Sequence, residues 1–113
     1  MKIFCLDIHN SNLSKIKRLN YIPVGLGKDD FDNSWLRDNS GKNISEKNAF
    51  YGEYTFHYWL WKNELDKMLD NEWVGFCAYR RFWSNKIDKF EINNLDDFLI
   101  ETPKEWEDKE IIL

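Results

Sequence analysis

Asn48 to Leu69, NAFYGEYTFHYWLWKNELDKML, and Glu72 to Trp83, EWVGFCAYRRFW, decide how the rest of the chain is read. Between Phe50 and Trp61 seven of twelve residues are aromatic. At about 100° per residue they cover almost the whole circumference of a helix, and a helix apolar all round is a buried one. It is too short, and its flanks too polar, to span a membrane, so its burial is expected against protein. Asp70-Asn71 ends the helical pattern. Trp73 to Tyr79 is then nearly continuous in apolar character, as a parallel strand covered on both faces requires. It closes on Tyr79-Arg80-Arg81, two adjacent permanent cations where open α/β sheets keep their ligand sites.

Towards the N-terminus, Lys2 to Ile8 reads as a short parallel-type strand. The cluster Asn10-Ser11-Asn12 is a turn that caps a short amphipathic helix over Leu13 to Leu19. Tyr21 to Leu26 is a second apolar run, closed by Gly25 and Gly27, so the opening is β-α-β in pattern. Lys28 to Lys47 is polar and without period, and a loop of that length in so small a domain is functional or disordered. Its Asp38-Asn39-Ser40-Gly41-Lys42-Asn43-Ile44-Ser45 is turn chemistry. It is expected to cap the long helix from Ser45 or Asn48 and to bring polar groups to the helix's positive end.

Towards the C-terminus, Phe82 to Phe90 reads as a loop and Asn94 to Ile100 as a short helix capped by Asn93 or Asn94, with Pro103 stopping it. Glu110 to Leu113 has the look of a buried strand with nothing after it, the mark of a fragment.

At 113 residues the chain holds one small domain, 1–113. Aromatic content of 17% against 32% charged residues marks it as globular. A net charge of −4 excludes a general polyanion binder, because the local basic cluster of Arg80, Arg81, Lys86 and Lys89 is diluted by Asp88 and Glu91. No nucleic acid is therefore expected as a partner. Cys5 and Cys77 lie inside apolar runs and are expected to be buried thiols acting as small hydrophobes. The opening apolar run is broken at Asp7, so neither a secretory leader nor a transmembrane helix is expected. The default compartment is the cytoplasm, with membrane contact only peripheral, at the inner face.

Arginine's planar donors match phosphate oxygens in pairs, so a diphosphate is a natural guest for Arg80 and Arg81; pairing with carboxylates or stacking on Trp83 is the competing role. Glu53 and His57 stand four apart on one helix and face the same way, where a buried ionisable group is either paired or chemically active. Their mutual hydrogen bond is the plain alternative. No third ligand stands at zinc spacing, and no Asp-x-Asp follows the Trp73 strand, so no metal site and no cofactor are expected. Gly25-Leu26-Gly27-Lys28 lacks both phosphate-loop fingerprints and is read as a turn. Most of the aromatic helix is assigned to the core, with Tyr51 and Tyr54 near enough to its start to reach the polar loop.

IPVGLG, DNSGKNISEKN, YGEYTFHYWLWKN and WVGFCAYRRFW, in this order and spacing over Ile22 to Trp83, together resemble the N-terminal half of a bacterial domain of unknown function found in capsular and exopolysaccharide synthesis proteins, generally regarded as glycosyltransferases. The resemblance implies a partial GT-A-like, Rossmann-like α/β fold with a mostly parallel sheet. It also implies a nucleotide sugar as substrate and a glycan or lipid-linked acceptor, in capsule, exopolysaccharide or lipopolysaccharide synthesis. Carried over by position, it marks Asp38, Gly41, Asn43, Ile44, Lys47, Asn48, Tyr51, Glu53, Tyr79, Arg80 and Arg81. Many relatives have histidine where this chain has Ala78. Family domains are about twice as long, so the chain is expected to be the donor-binding part, with Glu53 the one candidate for a general base. The competing expectation is a non-catalytic remnant or protein-interaction module.

Overall fold

Lys2–Asp7 forms an interior strand, β1, and its alternation sorts the core into two layers. Ile3 and Cys5 point to one side, into a cluster with Ile16, Leu19, Tyr21 and Trp35. Phe4 and Leu6 point to the other, against Phe56, Trp59 and Leu60. The computed structural model describes residues 1–85 and 94–112. Lys86, Lys89, Asp88, Glu91, the end of the loop expected over Phe82 to Phe90, the alternative cap Asn93 and Leu113 lie outside the described residues.

β1 is flanked by β2 (Ile22–Gly25) and by β4 (Val74–Ala78), and the two-residue β3 (Leu36–Arg37) lies beyond β2. The sheet order is β3-β2-β1-β4, and every pairing is parallel. The α/β, Rossmann-like expectation therefore holds. From β1 the chain steps to β2 and β3 on one side and then returns to place β4 on the other. The crevice beyond the carboxyl ends of β1 and β4 is thus the topological switch point, the place where such sheets bind ligands.

The first connection is the helix α1 (Leu13–Arg18), which buries Ile16 against the sheet. Asn20 ends it at φ 57°, a left-handed position that asparagine tolerates. Tyr21 N–H then donates to the Ile16 carbonyl at 3.1 Å and Asn20 N–H to Lys17 at 3.0 Å, a Schellman closure that satisfies two orphan carbonyls. At the start of the helix Asn12 makes no side-chain cap; its amide donates instead to the Tyr79 carbonyl at 3.4 Å.

The long aromatic helix is corrected in two respects. It is broken at Gly52 into α2 (Asn48–Tyr51) and α3 (Tyr54–Asn63), preceded by a 3-10 turn at Ser45–Lys47. Gly52 sits at φ 55°, ψ −131°, a conformation essentially reserved for glycine. Its carbonyl accepts from the Asn48 amide at 2.8 Å and the Thr55 hydroxyl at 3.0 Å, so the break is held by side chains. Nor is the helix buried all round. Phe56 is 0% exposed, while Phe50 is 88% and Tyr54 68% exposed, with Tyr51 and Trp61 also outside. An aromatic count could not tell the stripe that meets β1 and β4 from rings left on the surface.

The expected continuation through Leu65, Met68 and Leu69 is a 3-10 turn at Leu65–Lys67 with Leu69 exposed. The expected helix over Asn94 to Ile100 is one 3-10 turn, Leu95–Asp97. Asn94 and Asp97 cap it reciprocally, and Leu99 enters the α1-side core. Tyr21 anchors that segment by donating its hydroxyl to the Leu99 carbonyl at 2.6 Å, and burial pushes its phenol pKa up. Glu110 to Ile112 is not a strand. No helix among the described residues is long and apolar enough to cross a membrane.

Candidate functional site

Three loops meet at the carboxyl edge of the sheet. Asp7 closes β1 and is fully buried, and its carboxylate accepts from His9 N–H at 2.9 Å and the Ser11 hydroxyl at 3.4 Å. Desolvation raises its pKa above the usual carboxylate value, and those hydrogen bonds hold part of the rise back. The loop that Asp7 shapes is tied to the loop after β2: Asn10 N–H donates to the Asp29 carboxylate at 3.0 Å, and the Asn10 amide to the Asp30 carbonyl at 2.8 Å. It is tied to the turn after β4 by Asn12 and by the edge-on contact of His9 with Tyr79, 6.3 Å between centroids. Sequence reasoning missed Asp7, His9 and Asn10. The available signal was a buried-strand carboxylate followed by a run of turn residues.

The turn after β4 carries the two arginines. Arg81 N–H donates to the Ala78 carbonyl at 2.9 Å, which tightens the turn. Arg80 lies over the Tyr79 ring, 4.8 Å from its centroid. Among the described residues neither guanidinium is paired with a carboxylate. Trp83, the expected stacking partner, instead donates its indole N–H to the Phe76 carbonyl at 2.9 Å, on the open edge of β4.

A cavity of about 440 Å³ opens here, beside the carboxyl ends of β1 and β4. Leu6, Phe76, Cys77 and Ala78 form its strand wall; Phe82 and Trp83 close one side and Glu53, His57 and Arg81 supply its polar groups. A carboxylate and a guanidinium from distant parts of the chain thus face one space, with aromatic walls around them. His57 packs its ring edge-on against Phe76, 4.4 Å between centroids, and its Nδ1 is buried with no hydrogen-bond partner. The side-chain bond expected between Glu53 and His57 is not formed: their hydrogen bond is backbone, His57 N–H to the Glu53 carbonyl at 3.4 Å, and the Glu53 residue is exposed.

Cys77 borders the cavity, and Cys5, opposite it in register, is wholly buried. Both thiols are free; Cys5 is buried as expected, whereas Cys77 is only half-buried, and the hydrogen bond to Cys77 and burial push the Cys5 pKa far up.

The polar loop is placed differently from its expectation. Gly41, at φ 55°, packs against the Asn63 side chain. Asn63 accepts from Lys42 N–H at 3.1 Å and donates to the Lys42 carbonyl at 2.8 Å. Asn63 is the last residue of α3, so Gly41 and Asn43 are fastened near the helix end opposite Glu53, roughly 15 Å along the axis at 1.5 Å per residue. Ser40 extends the same seam by accepting the Trp59 indole N–H at 3.0 Å on its carbonyl. Ile44 leads into the 3-10 turn, and Lys47 and Tyr51 are exposed around α2. Asn48 returns to the upper edge, where its side chain abuts Gly27, itself at φ 76° in the turn expected there.

Asp38 follows β3 at 1% exposure, and one of its carboxylate oxygens is buried without a partner. Its neighbour Arg37 lies over Phe31 and donates to the Gly27 carbonyl at 2.8 Å. Of the sequence-marked residues, then, Glu53 and Arg81 meet in one cavity, Tyr79 and Arg80 precede Arg81 in the chain without lining that cavity, and Gly41 and Asn43 are elsewhere.

A second cavity, about 550 Å³, lies at the amino ends of β1 and β4 between Trp73, Leu99 and Trp106. It is the larger, but it is at the wrong end of a parallel sheet for a ligand site and is flanked by the C-terminal segment. Among the described residues no group of three or more His, Cys, Asp or Glu is arranged to hold a metal ion.

One family model, described as a domain of unknown function (DUF4422), matches residues 2–111. No curated protein and no solved structure matches the chain.

Proposed function

The chain belongs to the DUF4422 family, whose description carries no activity, and we propose from the site itself that it binds a nucleoside diphosphate sugar as the donor site of a glycosyltransferase. The observation that carries this reading is the shared cavity of Glu53 and Arg81 at the switch point of a parallel sheet. Arg81, helped by its chain neighbour Arg80, holds the diphosphate. Charge-assisted bonds from guanidinium to phosphate are strong, and they stabilise the charge that develops as the nucleotide leaves. Glu53 accepts a hydrogen bond from a sugar hydroxyl or orients Arg81. Phe76, Phe82 and Trp83 give the sugar apolar faces to lie against.

The sequence resemblance to capsular and exopolysaccharide synthesis proteins supplies the reaction class by analogy. On this reading the acceptor is a glycan or a lipid-linked glycan. The protein works in the cytoplasm, with any membrane contact peripheral, at the inner face.

The test is calorimetric titration of uridine, guanosine and thymidine diphosphate sugars, with and without Mg²⁺, into the protein and into the Arg80→Ala/Arg81→Ala variant. Binding lost in the variant supports the reading. Binding indifferent to the double substitution removes the phosphate site, and no binding to any of them removes the donor site.

A second reading, an interaction module, is favoured by the bare rings of Phe50, Tyr51, Tyr54 and Trp61. It predicts that Phe50→Ser/Trp61→Ser abolishes association with a partner or a second copy, read by analytical ultracentrifugation.

A further inference from the structure

His57 is not accounted for by the reading above. It stands one helical turn after Glu53 on α3 and lines the same cavity as Arg81. Its ring is clamped by Phe76 at 4.4 Å and flanked by Tyr54 at 5.7 Å, so its position is fixed by packing. A structural histidine normally has a hydrogen-bond partner for its buried nitrogen, and buried polar atoms without one are rare enough to require a reason. Here Nδ1 is sealed in without a partner, and the Glu53 carboxylate, the nearest candidate in sequence, does not serve the ring. Of the two ring nitrogens, Nε2 is the one left to meet a guest in the cavity.

Resting on the proposed donor site, we infer that His57 is the specificity-determining residue of that site. Its Nε2 hydrogen-bonds a hydroxyl of the sugar, while Arg81 holds the diphosphate. The division follows from chemistry: a guanidinium matches paired phosphate oxygens, whereas an imidazole nitrogen makes one directional bond of the kind that reads a single hydroxyl. A site built to bond a hydroxyl discriminates strongly, because a guest that covers Nε2 without offering a hydroxyl leaves that nitrogen unpaired.

The chain has two histidines, His9 and His57, so long-range ¹H–¹⁵N spectra of the wild-type protein contain two imidazole systems, and a His9→Asn variant assigns them. Saturation with the best-binding nucleoside diphosphate sugar is expected to shift the His57 Nε2 resonance, and the bare nucleoside diphosphate to leave it in place. In calorimetry, His57→Phe, which keeps ring packing, is expected to weaken the nucleotide sugar at least tenfold and the bare nucleotide less than twofold. His57→Gln, whose amide reaches the Nε2 position, is expected to recover affinity to within threefold of wild type.

An unmoved Nε2 resonance, or equal losses for both ligands in His57→Phe, overturns the role of His57 and leaves the donor site standing. A wild-type protein that binds neither ligand overturns the donor site and this inference with it.

Discussion

Glu53, at the start of α3, and Arg81, in the turn after β4, line one cavity at the carboxyl edge of the sheet although neither is bonded to the other. The cavity's strand wall is Leu6 of β1 with Phe76, Cys77 and Ala78 of β4, the strand that lies on the far side of β1 from β2. Two charges of opposite sign that face a shared space without closing on each other are available to a guest carrying both phosphates and hydroxyls.

The two arginines are expected to be unequal. Arg81 lines the cavity, whereas Arg80 lies over the Tyr79 ring and does not line it. Arg81→Ala is expected to cost about 1.5–3 kcal/mol of nucleotide-sugar binding, the range for hydrogen bonds to charged groups, and Arg80→Ala less than about 1 kcal/mol. Calorimetric dissociation constants for the two single variants check the order.

Gly52→Ala isolates backbone strain. A methyl group there meets nothing within 4 Å, so no steric clash contributes. The φ of 55° with ψ of −131° nevertheless excludes an ordinary L-residue, and a loss of about 1–3 kcal/mol in urea unfolding is expected. An unchanged midpoint would show that α2 and α3 are joined some other way.

The same segment supports a contrast between buried and bare rings. Phe56 touches Phe4 at 5.2 Å and Phe76 at 6.4 Å between centroids and is wholly enclosed, so Phe56→Ala is expected to cost about 3–5 kcal/mol. Phe50→Ala, at 88% exposure, is expected to stay within about 0.5 kcal/mol. Denaturant unfolding of both variants decides the matter.

This contrast also shows what could and could not be read from residues in a row. The parallel sheet was legible because KIFCLD and VGFCA are short apolar runs separated by helical pattern, and Arg80-Arg81 stood out as the candidate phosphate site because cations follow the second run. The helix break was not, since Gly52 matters through a dihedral angle. Nor was the destination of Gly41 and Asn43: their turn chemistry is evident in sequence, but Asn63, which holds that loop, follows only in the fold. The two-residue β3 escaped because no period fits so short a strand, although Trp35 beside it is buried. Asp7 and His57 were in view as residue types. Their importance depends on burial and on missing partners, which spacing does not encode.

Asn63→Ala tests that placement. It removes the Lys42 pair and the bond to the Trp59 carbonyl at 2.8 Å, so the protein is expected to lose about 1–3 kcal/mol of stability. Nucleotide-sugar affinity is expected to hold within about twofold, roughly 0.4 kcal/mol, because the loop is remote from Arg81. An affinity loss matching that of Arg81→Ala would return the loop to the site.

Asp7 carries a pH signature. Its carboxyl is raised in the folded state above its ordinary value of 3.8, chiefly by desolvation. Between the unfolded and folded values the native state binds more protons, so this group's effect on stability becomes less favourable as pH rises through that window and is constant above it. Asp7→Asn lacks the term. Its stability relative to wild type is expected to be lowest below the unfolded value and to improve as pH rises through the window, measured by urea unfolding at a series of pH values.

The most direct measurement is a crystal structure of the protein with its tightest-binding nucleoside diphosphate sugar. The diphosphate is expected within hydrogen-bond reach of Arg81, at the carboxyl ends of β1 and β4, with the sugar between Glu53 and His57. A diphosphate lodged instead at the opposite end of the sheet, between Trp73 and Trp106, would contradict the account.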